Sequence, residues 1–170
     1  MSDIKQLYQE VILDHNRKPR NWGSIPDANH HADGHNPLCG DHIKLAVDVQ
    51  DDKIASIAFE GHGCAICKAS ASMMTGAVKG KAVQEAETMV EEFRSMATGT
   101  LDPETQANHL GKLKVFAGVK DLPSRVKCAI LPWHTLHAAL NPVLNRVEGT
   151  ESISTEGEAD PVPGTAIGGQ

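Results

Sequence analysis

The stretch at residues 64–80, CAICKASASMMTGAVKG, constrains the fold more than any other part of the chain. Its small and unbranched side chains suit a helix packed tightly against its neighbours, and Gly61 and Gly63 break the chain just before it, so that Cys64 stands at the helix N-terminus. Ahead of the break the apolar residues alternate: Ile43, Leu45, Val47 and Val49, then the polar Gln50-Asp51-Asp52-Lys53, then Ile54, Ile57 and Phe59. That pattern is a hairpin with one buried face.

Helical signals flank this centre. Ile4, Leu7, Tyr8, Val11 and Ile12 recur at helical spacing before Asn16-Arg17-Lys18-Pro19 stops the run. The following stretch to Gly40 is rich in Pro, Gly, Asn and His, with an extended strand in its middle. After residue 80, Val83, Ala86, Met89, Val90, Phe93 and Met96 mark one helical stripe ending at Gly99, and Asp102-Pro103-Glu104 resembles a further helix start. In the last element, DLPSRVKCAILPWHTLHAALNPVL, Pro132 would break a helix begun at Leu122, so the expected start is near Cys128 or Ala129. This order gives an α+β domain.

Of 170 residues, 22% are charged and the formal net charge is −6. Glu148, Glu151, Glu156, Glu158 and Asp160 lie in residues 148–170, which hold no Lys or Arg. The division expected is one domain at 1–147 and an acidic, disordered tail at 148–170. The near-neutral domain argues against a nucleic-acid partner and, without a long apolar surface pattern, for a monomer. No run approaches the ~18 apolar residues of a membrane span, and the first residues have no signal-peptide character, so a cytoplasmic location is expected.

In a reducing compartment, Cys39, Cys64, Cys67 and Cys128 are metal ligands or reactive thiols rather than disulfides. A helix N-terminus, expected for both Cys64 and Cys128, favours the thiolate. In Asn36-Pro37-Leu38-Cys39-Gly40-Asp41, Gly40 lets the chain turn so that Cys39 and Asp41 converge on one ion. Cys39, Asp41, Cys64 and Cys128 form a set suited to tetrahedral Zn2+. Arg125 and Lys127 stand close in sequence to offset its negative charge.

Cys67 is open to three readings: a small buried residue, an alternative ligand or a resolving thiol. A redox protein built on Cys64-Ala65-Ile66-Cys67 lacks the βαβ context of that motif. Four thiolates would suit an iron–sulfur cluster, which keeps a scaffold role in view. His35, His42 and His62 flank the motif residues, within reach of an ion's outer shell, although nine histidines in the chain make chance proximity common.

The segments Asn36-Pro37-Leu38-Cys39-Gly40-Asp41, Gly61-His62-Gly63-Cys64 with Ala69-Ser70-Ala71-Ser72-Met73-Met74, and Arg125-Val126-Lys127-Cys128 with Trp133-His134-Thr135-Leu136 resemble the three cysteine motifs of the IscU/NifU-N superfamily. The resemblance spans about residues 4–140 and is nearest to the SufU branch: Lys127 stands where the scaffold proteins carry His, and 63 residues separate Cys64 from Cys128. It implies a small three-stranded antiparallel sheet packed against several helices. It further implies a zinc-dependent sulfurtransferase of iron–sulfur cluster biogenesis, which takes persulfide sulfur from a PLP-dependent, SufS-type cysteine desulfurase and passes it to a downstream iron–sulfur scaffold. Carried over, Cys39 is the sulfur acceptor, Cys39, Asp41, Cys64 and Cys128 hold zinc, and Arg125 is a supporting cation in the catalytic site. The alternative implied is a scaffold that builds and transfers a [2Fe-2S] cluster.

Overall fold

The computed structural model describes residues 2–37, 40–141 and 151–154. Helix α1 (Ser2–Arg17) leads into an irregular stretch and strand β1 (His30–Asn36). Strands β2 (Asp41–Gln50) and β3 (Lys53–His62) form the expected hairpin. Its two-residue turn, Asp51-Asp52, has positive φ at both positions, 53° and 63°, which matches the right-handed twist of the strands it joins. β1 pairs antiparallel with β2, giving the three antiparallel strands expected.

The sheet has two distinct faces. Along β1, Ala32, Gly34 and Asn36 are buried, whereas Asp33 and His35 point outward; along β2, Asp41, Ile43 and Leu45 point inward, and His42 and Lys44 outward. Two helices, α2 (Ala65–Val78) and α4 (Pro123–Leu140), pack on the inner face, and α3 (Val83–Thr98) and a 3₁₀ helix (Gly111–Asp121) pack against α4. α4 comes so close to β1 that a Cβ on Gly34 would lie 2.0 Å from Thr135 Oγ1. The core centres on Trp133, stacked on Phe93 at 4.7 Å, with Phe116 edge-on to Phe93. The serines of α2 reach partners despite burial: Ser70 Oγ donates to the Ala129 carbonyl (2.6 Å) and accepts from Trp133 Nε1 (3.2 Å). They fasten α2 to α4, the helices that carry Cys64 and Cys128.

Three expectations are corrected. α4 begins at Pro123, not near Cys128, and Pro132 lies inside it. Pro123 suits the first turn, where an N–H has no intrahelical partner. Pro132 withholds one helical hydrogen bond, from the Cys128 carbonyl, a loss offset by burying most of the helix from Cys128 onward. Second, Asp102-Pro103-Glu104 forms only a turn, in which Asp102 Oδ1 accepts the Glu104 N–H (3.0 Å), and helical structure resumes at Gly111. Third, Glu151–Ser154, inside the stretch read as a disordered tail, forms strand β4, parallel to β1 from Ala32 to His35. An open strand edge offers main-chain partners even to a segment poor in apolar side chains. The rest of the tail lies outside the described residues.

Candidate metal and sulfur-transfer site

Asp41, the first residue of β2, turns inward to the N-terminus of α2. Its side chain is 1% exposed; Oδ1 accepts the Cys64 N–H at 2.9 Å, and Oδ2 is buried with no hydrogen-bond partner. This contact explains Gly63, where a Cβ would stand 2.6 Å from Asp41 Oδ1. Gly61, at φ 141°, is under similar constraint: a Cβ there would meet the His42 carbonyl oxygen at 2.0 Å.

Cys64 is the N-cap of α2, as its sequence context implies, and its Sγ accepts the Cys67 N–H at 3.4 Å. Cys128, fully buried on α4, lies a turn and a half beyond the helix start, and its Sγ–H donates to the Ser124 carbonyl at 3.7 Å. The expected helix-terminus location therefore holds for Cys64 and not for Cys128. Among the described residues, donor atoms of Asp41, Cys64 and Cys128 form one group, all within 4.8 Å of one another.

The electrostatics of the two thiols are coupled. A hydrogen bond from Cys128 brings the Cys64 thiol down to about 6, helped by the Cys67 and Ile66 N–H groups and opposed by burial and by Asp41. That same bond, with burial and Asp41, pushes Cys128 up. The first proton leaves from Cys64, and Cys128 stays a thiol so long as nothing else neutralises the pair. Arg125 supplies one cation: its guanidinium hydrogen-bonds Cys128, lies near Cys64, and has its own pKa raised by both.

These residues fit a divalent ion. Two sulfurs and a carboxylate oxygen converge within the span of tetrahedral zinc bonds, and the unpartnered Asp41 Oδ2 is a buried acceptor that a cation would satisfy. Cys39, the fourth expected donor and the expected sulfur acceptor, lies with Leu38 outside the described residues. Among the described residues on either side, the Gly40 N–H donates to the Asn36 carbonyl at 2.8 Å.

Cys67 is not in the donor group. It is fully buried in the hydrophobic core, as its reading as a small buried residue has it. Asn36, in the sequence only one member of a motif, pairs with Asp41 in the ladder and is buried, with its side-chain oxygen and nitrogen both unpartnered. Its place two residues beyond the inward-facing Gly34 is the signal that marks it. His35, His42 and His62 lie on the outer face, away from the group, because strand alternation turns His42 opposite to Asp41.

The NifU-like N terminal domain matches residues 7–129. The chain belongs to this family. Over 158 residues it is 38% identical to the iron–sulfur cluster assembly scaffold protein IscU of Streptococcus pyogenes serotype M1, covering 93% of this chain and 98% of that protein. It is 40% identical over 135 residues to the zinc-dependent sulfurtransferase SufU of Bacillus subtilis, covering 79% and 90%. The crystal structure of a candidate iron–sulfur cluster assembly scaffold protein for the SUF system, from Fervidobacterium islandicum AW-1, superposes with a TM-score of 0.73 at 40% identity, covering 78% of this chain and 95% of that one. The NifU-like domain is thus of the iron–sulfur cluster assembly, SufU-type kind, with the three antiparallel strands and helices expected of it. No helix among the described residues is long and apolar enough to cross a membrane.

Proposed function

We propose that this NifU-like domain is a zinc-dependent sulfurtransferase that feeds iron–sulfur cluster assembly. In this reading Cys39, Asp41, Cys64 and Cys128 hold Zn2+, and Cys39 receives sulfur from a PLP-dependent cysteine desulfurase of the SufS type and passes it to a downstream scaffold. The observation that carries it is the buried Asp41–Cys64–Cys128 group with its unpartnered carboxylate oxygen. Lys127 in place of a histidine and 40% identity to a zinc-dependent sulfurtransferase support the choice of branch.

Bound zinc supplies the positive charge that lets several thiolates share one buried site. The sulfur step belongs to the chain's own groups. The Cys39 thiolate attacks the terminal sulfur of the desulfurase persulfide; a new S–S bond forms on Cys39, the old one breaks, and the desulfurase cysteine leaves as a thiolate. No net oxidation occurs. Arg125 stabilises negative charge on the sulfurs during the exchange, and Asp41 fixes Cys64 through its N–H.

A second reading, a scaffold that builds a [2Fe-2S] cluster, is favoured by 38% identity to a scaffold protein over nearly its whole length. Cys67 does not strengthen it, being outside the donor group. The test is desulfurase turnover of free cysteine with and without this protein, alongside metal analysis of protein purified without added iron. Stimulated turnover and one zinc per chain support the sulfurtransferase reading. A coloured iron–sulfur protein that leaves turnover unchanged supports the scaffold.

A further inference from the structure

The outer face of the sheet carries a cluster of histidine and carboxylate side chains. The register sets His35, His42 and His62 in one row across β1, β2 and β3. The His35 and His42 rings stack at 4.0 Å and 19°, and His62 stands edge-on to His42 at 5.8 Å. Two residues before His35 on the same face is Asp33, whose Oδ2 lies 3.8 Å from His42 Nε2.

That separation is too long for a hydrogen bond and suits two donors bound to one ion at ~2.0–2.2 Å each. His42 Nε2 is moreover buried and without a hydrogen-bond partner, one of four such side-chain atoms among the described residues. Asp33 faces Lys44 across the ladder, yet its described ion pair is with His42.

We propose that Asp33, His35 and His42 form a second metal site, a two-histidine, one-carboxylate set for a divalent first-row ion, with Fe2+ as its cargo. Such a set leaves coordination positions open and is characteristic of non-haem iron(II). His35 is exposed and joins the other two by rotating its side chain, and His62 stands on the far side of His42 as a reserve donor. The cluster has only nitrogen and oxygen donors, whereas the Asp41–Cys64–Cys128 group is mainly sulfur. Because Asp41 and His42 are consecutive, the two lie back to back through one strand. In a chain of iron–sulfur cluster assembly, that places an iron site next to a sulfur site. The inference stands on the outer face alone and does not need zinc in the cysteine group.

The test is Co2+ titration of the full-length protein after zinc loading, under anaerobic conditions, with Co2+ as the spectroscopic probe for Fe2+. Zinc content is measured first, and thiolate-to-cobalt charge-transfer bands report any cobalt in the cysteine group, so a failure of the zinc reading shows separately. The expected result is one Co2+ per chain with ligand-field bands from nitrogen and oxygen donors, displaced by added Fe2+. Its affinity should fall at least about tenfold in His42→Ala and in Asp33→Asn, with no change in His31→Ala, which removes a histidine elsewhere on β1. Absence of nitrogen- and oxygen-bound cobalt in the wild type, or its retention in both variants, would overturn the proposal.

Discussion

Asp41 does two jobs with two oxygens, one fixing the Cys64 N–H and the other facing the donor group unpartnered. Removing it should therefore loosen the site more than the fold. Asp41→Ala is expected to release zinc to a chelator about 10–100 times faster and to cost only ~1–2 kcal/mol of stability, whereas Cys64→Ala and Cys128→Ala lose the ion altogether. Chelator-competition kinetics beside thermal melts check this. Cys67 should behave in the opposite way. It is fully buried in the core and outside the donor group, so Cys67→Ser should keep one zinc per chain while losing about 1–3 kcal/mol of stability to a hydroxyl placed among apolar side chains. Loss of the bound zinc in that variant would put Cys67 back among the ligands.

At the scale of elements, α4 carries both a donor and a titration. His134 is half-buried on α4, and its pKa is lowered to about 4, first by burial and then by Arg94 and His137. The unfolded chain binds that proton at about pH 6.5, so stability is intact above that pH and drains away as pH falls from about 6.5 towards 4, by up to ~3 kcal/mol. Chemical denaturation across this window should show the loss, and His134→Gln should flatten it. The hairpin, the small-residue helix and the N-cap position of Cys64 were all legible in the sequence, because alternation, side-chain size and Gly breaks act locally. The course of α4 was not. Pro132 is a local helix breaker, and only the burial of Trp133 and its neighbours against sheet and α3 keeps the helix continuous through it. The Asp102-Pro103-Glu104 signal failed for the converse reason: its side-chain bond closes a turn with no apolar face behind it to continue as helix. The donor group was legible as residue types at motif positions, but its closeness depends on Gly63 and on the α2–α4 contacts, which no single segment encodes.

At the scale of the whole molecule, we propose that residues 1–147 form the folding unit, and that 148–170 is an appendage whose described part covers the edge of β1. A chain ended after residue 147 should keep its fold and its metal, while amide exchange along Ala32–His35 speeds up because the parallel partner strand is gone. Loss of cooperative melting in the shortened chain would make the tail part of the fold. Sheet, α2 and α4 otherwise serve one end, where they bring Asp41, Cys64 and Cys128 together. In the proposed function, Cys39 takes sulfur from a desulfurase. The direct measurement is transfer of isotopically labelled sulfur from cysteine, through the desulfurase, onto this protein, with the labelled residue located by peptide mass spectrometry under non-reducing conditions. Persulfide sulfur is expected on Cys39, and none on the Cys39→Ser variant. Label on another cysteine, or undiminished transfer to Cys39→Ser, would contradict the proposed function.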